Sequence, residues 1–441
     1  MTSRVLICVA LAAIGFAQTT SRPAQLPESS RKLIAITVTG SKRFATPDVI
    51  LASGLQIGTI AGDEEFKKAA RQLGDTGAFS DISYSFSFTS AGTKLEWQVT
   101  DAEKFVPAHF EDFVWFTDDQ LQQIIKDHVP LFTGELPLQG NMVLQVSDAL
   151  QTQLVQKGVP GTVEWERISH KDGPVEAINF TVFGNLVRIR NIEFSGASAP
   201  ELPLLEAAAQ RVPDRGYSRT QLEAFAQRDL LPIYHSHGCL KATFGAPQPK
   251  VVSTTSPETG EENRNTTLVD VTLPVTPGPV YKFSAIQWSG NQVIPTQKLQ
   301  PMIHAQTGQA ANKVQLGNDL SEVRDLYGSK GYIAATIKAD AQFDDAAGTV
   351  AIVLAVTEGP VFHMGDLEYR GLDNSLTAKL RGIWKLRPGD TYDATYLKQY
   401  LQEVRKLLPA KFDWDIAPHV TANARDKSVD VDLQFTVKAA Q

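Results

Sequence analysis

The chain has 441 residues, of which 42% are hydrophobic and 21% charged, and its formal net charge is −7. This length exceeds one small core and fits several modest domains. The acidic balance lacks the dense basic surface that phosphate neutralisation requires, so nucleic-acid binding is not expected. No nucleophile elbow, phosphate-binding loop or metalloprotease motif occurs, so we expect neither an enzyme nor a cofactor.

Residues 1–17 have the pattern of a secretory signal peptide. Arg4 supplies the positive start, residues 5–16 form a short apolar run, and Gly15-Phe16-Ala17 resembles a small-residue cleavage site. A polar, flexible lead over residues 18–31 follows. We therefore expect an exported, periplasmic protein. Cys239 is then the one remaining thiol, so each domain must be held by its own packing.

An alternating apolar segment that ends in Gly recurs along the chain. The period of two predicts a strand with one buried face, and the Gly predicts a turn with positive φ. A weaker copy, Phe110-Glu111-Asp112, has Asp in the Gly position and predicts a left-handed Asp112. The clear copies are Ile36-Thr37-Val38-Thr39-Gly40, Ile192-Glu193-Phe194-Ser195-Gly196, Ile286-Gln287-Trp288-Ser289-Gly290 and Leu367-Glu368-Tyr369-Arg370-Gly371.

Each copy is followed by a short helical stretch and then by a longer amphipathic helix. The helix of the fourth copy has its apolar stripe at Leu316, Leu320, Val323 and Tyr327, which predicts packing of one face against a sheet. Gly residues such as Gly238 and Gly331 predict helix C-caps. Two further alternating segments complete each copy, so the order is strand, helix, helix, strand, strand.

The chain resembles the POTRA (polypeptide-transport-associated) family. The resemblance is carried by the Gly after the first strand, by the helix end Leu326-Tyr327 to Gly331-Tyr332 and by the exit Glu358-Gly359-Pro360. It implies an α+β fold of five tandem β-α-α-β-β units, each a three-stranded mixed sheet with two helices on one face, in an elongated array. The expected boundaries are residues 32–103, 104–185, 186–279, 280–360 and 361–441.

The resemblance also implies a function. In the outer-membrane barrel-assembly family a membrane barrel follows such units, and we expect none here because the last strand reaches Gln441. The expected role is a periplasmic scaffold or chaperone-like module that assists outer-membrane β-barrel assembly, peripheral to the outer membrane. Its partners would be a separate barrel-assembly protein or unfolded outer-membrane clients. The alternative is a structural adaptor in another envelope process, either protein secretion or cell division.

Two candidate interaction sites follow. An edge strand exposes unpaired backbone groups to which an extended peptide can add, and in the family this edge is the strand after the second helix. Carried over, it predicts docking edges that include Ala334, Thr336 and Lys338 in the fourth unit and Lys241 and Thr243 in the third. The apolar run at residues 113–116 exceeds one buried face. It either packs between units or forms a partner patch of Phe113, Trp115 and Phe116.

One segment carries residue types that bind metals. His235, His237 and Cys239 are zinc-ligand types, but their segment aligns with residues 328–332, where no ligand occurs. We therefore interpret it as a solvated helix end followed by a small buried Cys, and expect no metal site.

Overall fold

The computed structural model describes residues 31–171, 173–212, 216–255, 265–409 and 412–437. The predicted signal peptide, residues 1–17, and all of the predicted lead except residue 31 lie outside the described residues. Within them the chain forms five mixed sheets, and two helical segments separate the first strand of each repeat from its later strands. The predicted α+β class of tandem β-α-α-β-β repeats is confirmed.

The first two repeats show the common topology. The last strand of each repeat lies in the middle of its sheet, parallel to the first strand and antiparallel to the strand after the second helix. The second repeat adds a three-residue strand beside its first strand, so its sheet has four strands. The elements are β1 (Leu33–Thr39), α1 (Thr46–Ser53), α2 (Asp63–Asp75), β2 (Phe79–Thr89), β3 (Gly92–Asp101), β4 (Phe105–Phe110), α3 (Asp118–His128), β5 (Glu135–Pro137), α4 (Met142–Gln156), β6 (Thr162–Ser169) and β7 (Val175–Phe183).

The third repeat has the same order with an interruption. The strand after its second helix is divided in two, and both parts pair with its central strand. Its longer helix contains a π-helical segment, Ala226–Leu230, between two α-helical parts. The elements are β8 (Asn185–Ser195), α5 (Leu202–Ala209), α6 (Arg219–Phe225), α7 (Leu231–Ser236), β9 (Thr243–Phe244), β10 (Gln248–Thr255) and β11 (Asn265–Thr276).

The last two repeats have three-stranded sheets, as the sequence predicts. The apolar face of the longer helix packs on the buried row of the central strand, for example Leu320 and Val323 on Ile352 and Leu354. The elements are β12 (Lys282–Ser289), α8 (Thr296–Leu299) with a 3-10 turn (Gln300–Met302), α9 (Lys313–Gly328), β13 (Thr336–Asp344), β14 (Thr349–Thr357), β15 (His363–Arg370), α10 (Asn374–Ile383), α11 (Tyr396–Leu407), β16 (Trp414–Asn423) and β17 (Ser428–Val437).

The cores are not all separate. The fourth and fifth repeats each have their own cluster of buried apolar residues. The first and second repeats instead share one contiguous cluster, in which the ring of Phe44 lies 5.4 Å from Phe79 and 6.0 Å from Phe105 of the next repeat. By contact density the chain divides into two compact units. Of the described residues, one unit holds those up to Ser195 and those within 209–224 and 246–274, and the other holds those within 196–208 and 225–245 and those from Val275 onward.

The Gly after each first strand is required by a close backbone approach. Gly40, Gly196, Gly290 and Gly371 have φ of 95°, 79°, 78° and 82°. A Cβ at these four positions would lie 2.1, 2.5, 2.2 and 2.0 Å from the carbonyl oxygen of Val99, Val275, Val356 and Phe435 respectively. Each carbonyl belongs to the central strand of the same repeat, so the sequence motif is a packing requirement repeated four times.

Asp112 does not take the left-handed conformation that the sequence predicts. Lys427 is the one non-glycine residue with positive φ in the described chain. Asp112 instead accepts a hydrogen bond, through Oδ1 at 2.8 Å, from the N–H of Val182 in the central strand β7. In the second repeat, the carboxylate of Asp112 therefore contacts the central strand of the sheet. In the other repeats the backbone of the Gly residue makes this approach. Burial raises the pKa of Asp112 to about 6.

The helix C-cap glycines also join repeats. Gly238 and Gly331 have φ of 86° and 85°, as the C-cap prediction requires. The carbonyl of Gly238 accepts a hydrogen bond from the N–H of Tyr281 at 2.9 Å, and that of Gly331 accepts one from Phe362 at 2.8 Å. Tyr281 and Phe362 directly precede the first strand of the next repeat, so one residue ends a helix and fixes the start of the following sheet.

Two equivalent buried tyrosines differ in their partners. Tyr327 donates its hydroxyl hydrogen to Glu358 at 2.9 Å, whereas the hydroxyl of fully buried Tyr234 has no hydrogen-bond partner among the described residues. The exit sequences explain the difference, because Pro277 occupies in the third repeat the position that Glu358 occupies in the fourth. A buried hydroxyl without a partner costs free energy.

We predict opposite effects for the two Tyr→Phe substitutions. Tyr327→Phe removes a hydrogen bond to a carboxylate and should lower the free energy of unfolding by about 2 kcal/mol. Tyr234→Phe removes an unpaired hydroxyl and should leave it unchanged or raise it. Calorimetry of the full chain measures both. Adding Pro277→Glu should make the Tyr234 hydroxyl stabilising, and equal losses for the two Phe variants would contradict this account.

We also predict that Asp112→Asn stabilises the chain above pH 6. A folded pKa of about 6, above the usual value of about 4, means that the native state binds more protons between these values, so Asp112 reduces stability as pH rises. Asn keeps the acceptor for Val182 and has no charge to desolvate. The gain should be about 1–2 kcal/mol at pH 7.5 and vanish below about pH 4 in chemical denaturation. A gain independent of pH would contradict the prediction.

Candidate functional site

The sheet boundary formed by the first strand is partly closed in every repeat. In the fourth repeat, Phe283 exchanges backbone hydrogen bonds with the loop between the helices, accepting from Gly308 at 2.7 Å and donating to Gln309 at 3.0 Å. Met364 of the fifth repeat and Leu33 of the first do the same with their own loops. In the third repeat Tyr217 donates a bond of this kind to Val187 at 2.8 Å, and in the second repeat β5 pairs with the first strand at this boundary. Some of the backbone groups at the start of this side therefore already have partners.

The opposite boundary lacks a neighbouring strand in the described chain, although in β6 the N–H of Val163 already donates a hydrogen bond to Gln151 Oε1 at 2.7 Å. β2, β6, β10, β13 and β16, the strands after the second helix, each pair with the central strand of their own sheet and with no other strand in the described ranges. Every second residue of such a strand directs its N–H and C=O away from the sheet. An extended peptide could therefore hydrogen-bond along this side.

Two of the five open edges are blunted by proline. Pro249 in β10 pairs with Val271, and Pro418 in β16 pairs with Leu433. Because proline has no N–H, its nitrogen in a paired edge strand must face away from the partner, so both edges lack an outward donor at that position. β10 also has an irregular register between Val251 and Ser253. Both features disfavour addition of another strand.

The edge of β13 is uninterrupted. Its nine residues pair with β14 in continuous antiparallel register and include no proline. Ala339 pairs with the buried Leu354, as Pro418 pairs with the buried Leu433. By this equivalence Ala339 directs its N–H outward, as do Ile337 and Ala341 at the same parity. We call Ile337, Ala339, Ala341 and Phe343 the inner row of β13, since their partners in β14 are all buried.

The predicted docking residues of the fourth repeat lie at this edge. Thr336 and Lys338 belong to β13 and are exposed, with side chains on the face opposite to the inner row. Ala334 is exposed too, but lies in the turn before the strand. The expected location is thus occupied by an open strand, while the outward backbone donors belong to the neighbouring residues 337, 339 and 341.

The predicted docking residues of the third repeat have other surroundings. Lys241 precedes β9 and donates from Nζ to both carboxylate oxygens of Asp345 in the fourth repeat, at 2.7 and 2.9 Å. It also lies over the rings of Tyr281 and Phe343. Thr243 lies in β9, which has only two residues. Lys241 thus contacts the next repeat, and the neighbouring edge is short and followed by the proline-containing β10.

The aromatic run at residues 113–116 is divided between core and surface. Phe113 is buried, whereas Trp115 and Phe116 are partly exposed. All three line a cleft of about 560 Å³ with Tyr217 and Arg219 of the third repeat. Nearby Glu111 is buried and accepts hydrogen bonds from Ser218, at 2.8 Å, and from Thr220. Phe113 thus belongs to the core of the first two repeats, while Trp115 and Phe116 pack against that core and remain partly accessible at the cleft beside the third repeat.

The segment His235 to Cys239 has structural contacts. His237 Nδ1 lies 2.8 Å from a carboxylate oxygen of the buried Glu201, and Cys239 is buried. Burial lowers the pKa of His235. No group of three or more His, Cys, Asp or Glu within the described residues is arranged to hold a metal ion.

Sequence reasoning did not select the edge of β2 in the first repeat. β2 has the sequence FSDISYSFSFT and pairs with β3 without interruption from Asp81 to Thr89. Its inner row is Ile82, Tyr84, Phe86 and Phe88, at the register that Ile337 to Phe343 hold in β13. The alternation of Ser with aromatic residues was the available signal, but it reads equally as an ordinary half-buried strand.

No helix in the described ranges combines the length and apolar character needed to cross a bilayer.

The sequence of this chain is similar to a known domain family and to known proteins. The POTRA family profile, described as "Surface antigen variable number repeat", matches residues 281–359. A protein of Treponema pallidum named "Putative outer membrane protein assembly factor" is 24% identical over 257 residues, which are 58% of this chain and 30% of that protein. The "Outer membrane protein assembly factor BamA" of Neisseria meningitidis serogroup B is 25% identical over 180 residues, 38% of this chain and 23% of that protein.

Solved structures also match. The crystal structure of Haemophilus influenzae BamA POTRA3-5 is 20% identical, covers 58% of this chain and 97% of that chain, and has a TM-score of 0.45. This chain spans less than a third of the length of the two curated relatives. The resemblance found in the sequence is confirmed: residues 281–359, in the fourth repeat, match the POTRA family profile, and the chain is similar to outer membrane protein assembly factors.

Proposed function

We propose that this chain is a non-enzymatic periplasmic scaffold that assists assembly of outer-membrane β-barrel proteins by adding extended client strands to its open sheet edges. The observation that carries the proposal is the continuous, proline-free edge of β13. The two curated relatives, named as assembly factors, support the process in which it would act.

Backbone addition suits diverse clients. Hydrogen bonds to N–H and C=O groups depend little on side-chain identity, and the strands of unfolded barrel proteins are varied in sequence but all extended. Few hydrogen bonds must offset the ordering of the peptide, so affinity at one edge should be micromolar or weaker. Several edges on one chain would raise the effective concentration of a client strand.

The difference between the two boundaries of each sheet supports this mechanism. Loops or β5 take up some of the donors and acceptors at the first-strand boundary, which favours the opposite boundary for a client strand. The exposed side chains of Thr336 and Lys338 flank that side but are not its hydrogen-bonding groups. Lys241 stabilises the position of the fourth repeat relative to the helix end of the third, beside the same edge.

We predict that Ala339→Pro abolishes docking at β13. The substitution removes one outward N–H. Pro418 in β16 stands at the equivalent register of the fifth repeat, so a sheet of this type accepts proline at this position. Hydrogen exchange of the full chain, followed by mass spectrometry, should show amides of residues 336–344 slowed about tenfold by a saturating strand peptide in the wild type. The slowing should disappear in Ala339→Pro.

Lys338→Ala is the matched control. It alters an exposed side chain of the same strand and leaves the backbone donors in place, so docking should persist with less than about a threefold change. Pro418→Ala should add a donor to β16 and introduce peptide-dependent slowing at residues 414–423. No slowing at any open edge of the wild type would reject edge docking. Depletion that alters septation or secretion, with unchanged outer-membrane protein levels, would reject the assembly role.

A further inference from the structure

The inner row of β2 forms a continuous aromatic surface along an open edge. The rings of Tyr84 and Phe86 are stacked with centroids 6.4 Å apart, and Phe86 and Phe88 meet edge-on at 5.3 Å. Phe66 of α2 packs against Tyr84 and Phe86 from the helix side. Phe88 is 38% exposed, although its neighbours in the row contact the core.

The fourth repeat carries small residues at the middle of the same register. Tyr84 pairs with Trp97 and Phe86 with Leu95, while Ala339 pairs with Leu354 and Ala341 with Ile352. Both rows end in a phenylalanine, but the ring of Phe343 already packs against Tyr281 and Lys241. A strand added to β13 would therefore meet two exposed alanines where a strand added to β2 would meet two aromatic rings.

The aromatic row would select the side chains of an incoming strand. Directly opposed side chains on one face of a sheet interact, and aromatic–aromatic and aromatic–β-branched pairs are the favourable ones. An acidic side chain at those positions would lose water against the rings without gaining a partner. Asp63, whose carboxylate contacts the row, is already held by the Tyr84 hydroxyl at 2.8 Å and by Lys67 at 2.7 Å.

The other face of β2 has a different character. Ser83, Ser85 and Ser87 alternate with the aromatic row, so the solvent face of the edge is small and polar. A strand that fits both faces has large apolar side chains at every second residue and polar ones between.

We propose that the first repeat is the selective site of the chain: β2 binds extended segments with alternating large apolar and polar residues, while β13 binds extended segments with little regard to sequence. This inference rests on the proposed edge docking and names the class of segment that one edge prefers.

The test compares two nine-residue peptides of one composition. In one peptide, Leu and Tyr alternate with Ser and Thr; in the other, the same residues form an apolar block and a polar block. Hydrogen exchange of residues 79–89 and 336–344 is followed in the full chain against peptide concentration. Three added cross-strand pairs should let the alternating peptide protect β2 at about tenfold lower concentration than the blocked peptide. At β13 the two peptides should differ by less than about threefold.

Two variants make the assignment specific. Phe88→Ser shortens the row at its most exposed ring and should reduce the preference at β2 to about threefold or less. Ala339→Tyr with Ala341→Phe builds the row on β13, where both positions are exposed, and should create a preference there of up to about tenfold. This gain does not depend on removing any core residue.

The outcomes separate the two proposals. Equal protection of β2 by both peptides, with β13 protection still lost in Ala339→Pro, would overturn selectivity and leave edge docking in place. Absence of protection at both edges would overturn edge docking itself. A preference that persists unchanged in Phe88→Ser and does not appear in the β13 double variant would show that the aromatic row is not its source.

Discussion

A three-stranded sheet has two boundaries of unpaired backbone groups, and each repeat of this chain partly satisfies one of them. The start of the first strand is joined by the loop between its helices or, in the second repeat, by β5. The strand after the second helix has no further strand on its outer side within the described residues. This asymmetry gives the fold a consistent side for interaction, since unpaired backbone groups are either hydrated or available to another extended chain.

The five edges are nevertheless not equivalent. Pro249 and Pro418 remove outward donors from β10 and β16, while β13 and β2 keep theirs. Under the proposed edge docking, copies of one module would differ in function without any change of topology, because a single proline on the inner row would prevent a strand from being added. Side chains on that row would then set which strand is preferred.

Glycine has two separate structural roles in these repeats. After the first strand it permits contact with a carbonyl of the central strand, for which Gly290 and Val356 are the example. At the end of the longer helix it caps the helix and accepts a hydrogen bond from the next repeat, as Gly331 does from Phe362. The second role connects neighbouring modules through the backbone, so it is insensitive to the side chains that vary between repeats.

The sequence by itself determined the repeat, the α+β class and the capping glycines, because these depend on local periodicity and on φ values that only glycine adopts readily. It also indicated that β13, the strand after the second helix of the fourth repeat, lies at the edge of its sheet, because the resemblance to POTRA domains implies this strand order. Tertiary structure decided the rest. The side chain of Asp112 accepts a hydrogen bond from the N–H of Val182, and its backbone does not adopt positive φ. Lys241 forms an ion pair with Asp345 of the following repeat. Both outcomes depend on contacts between residues 70 to 104 positions apart, which no local pattern encodes.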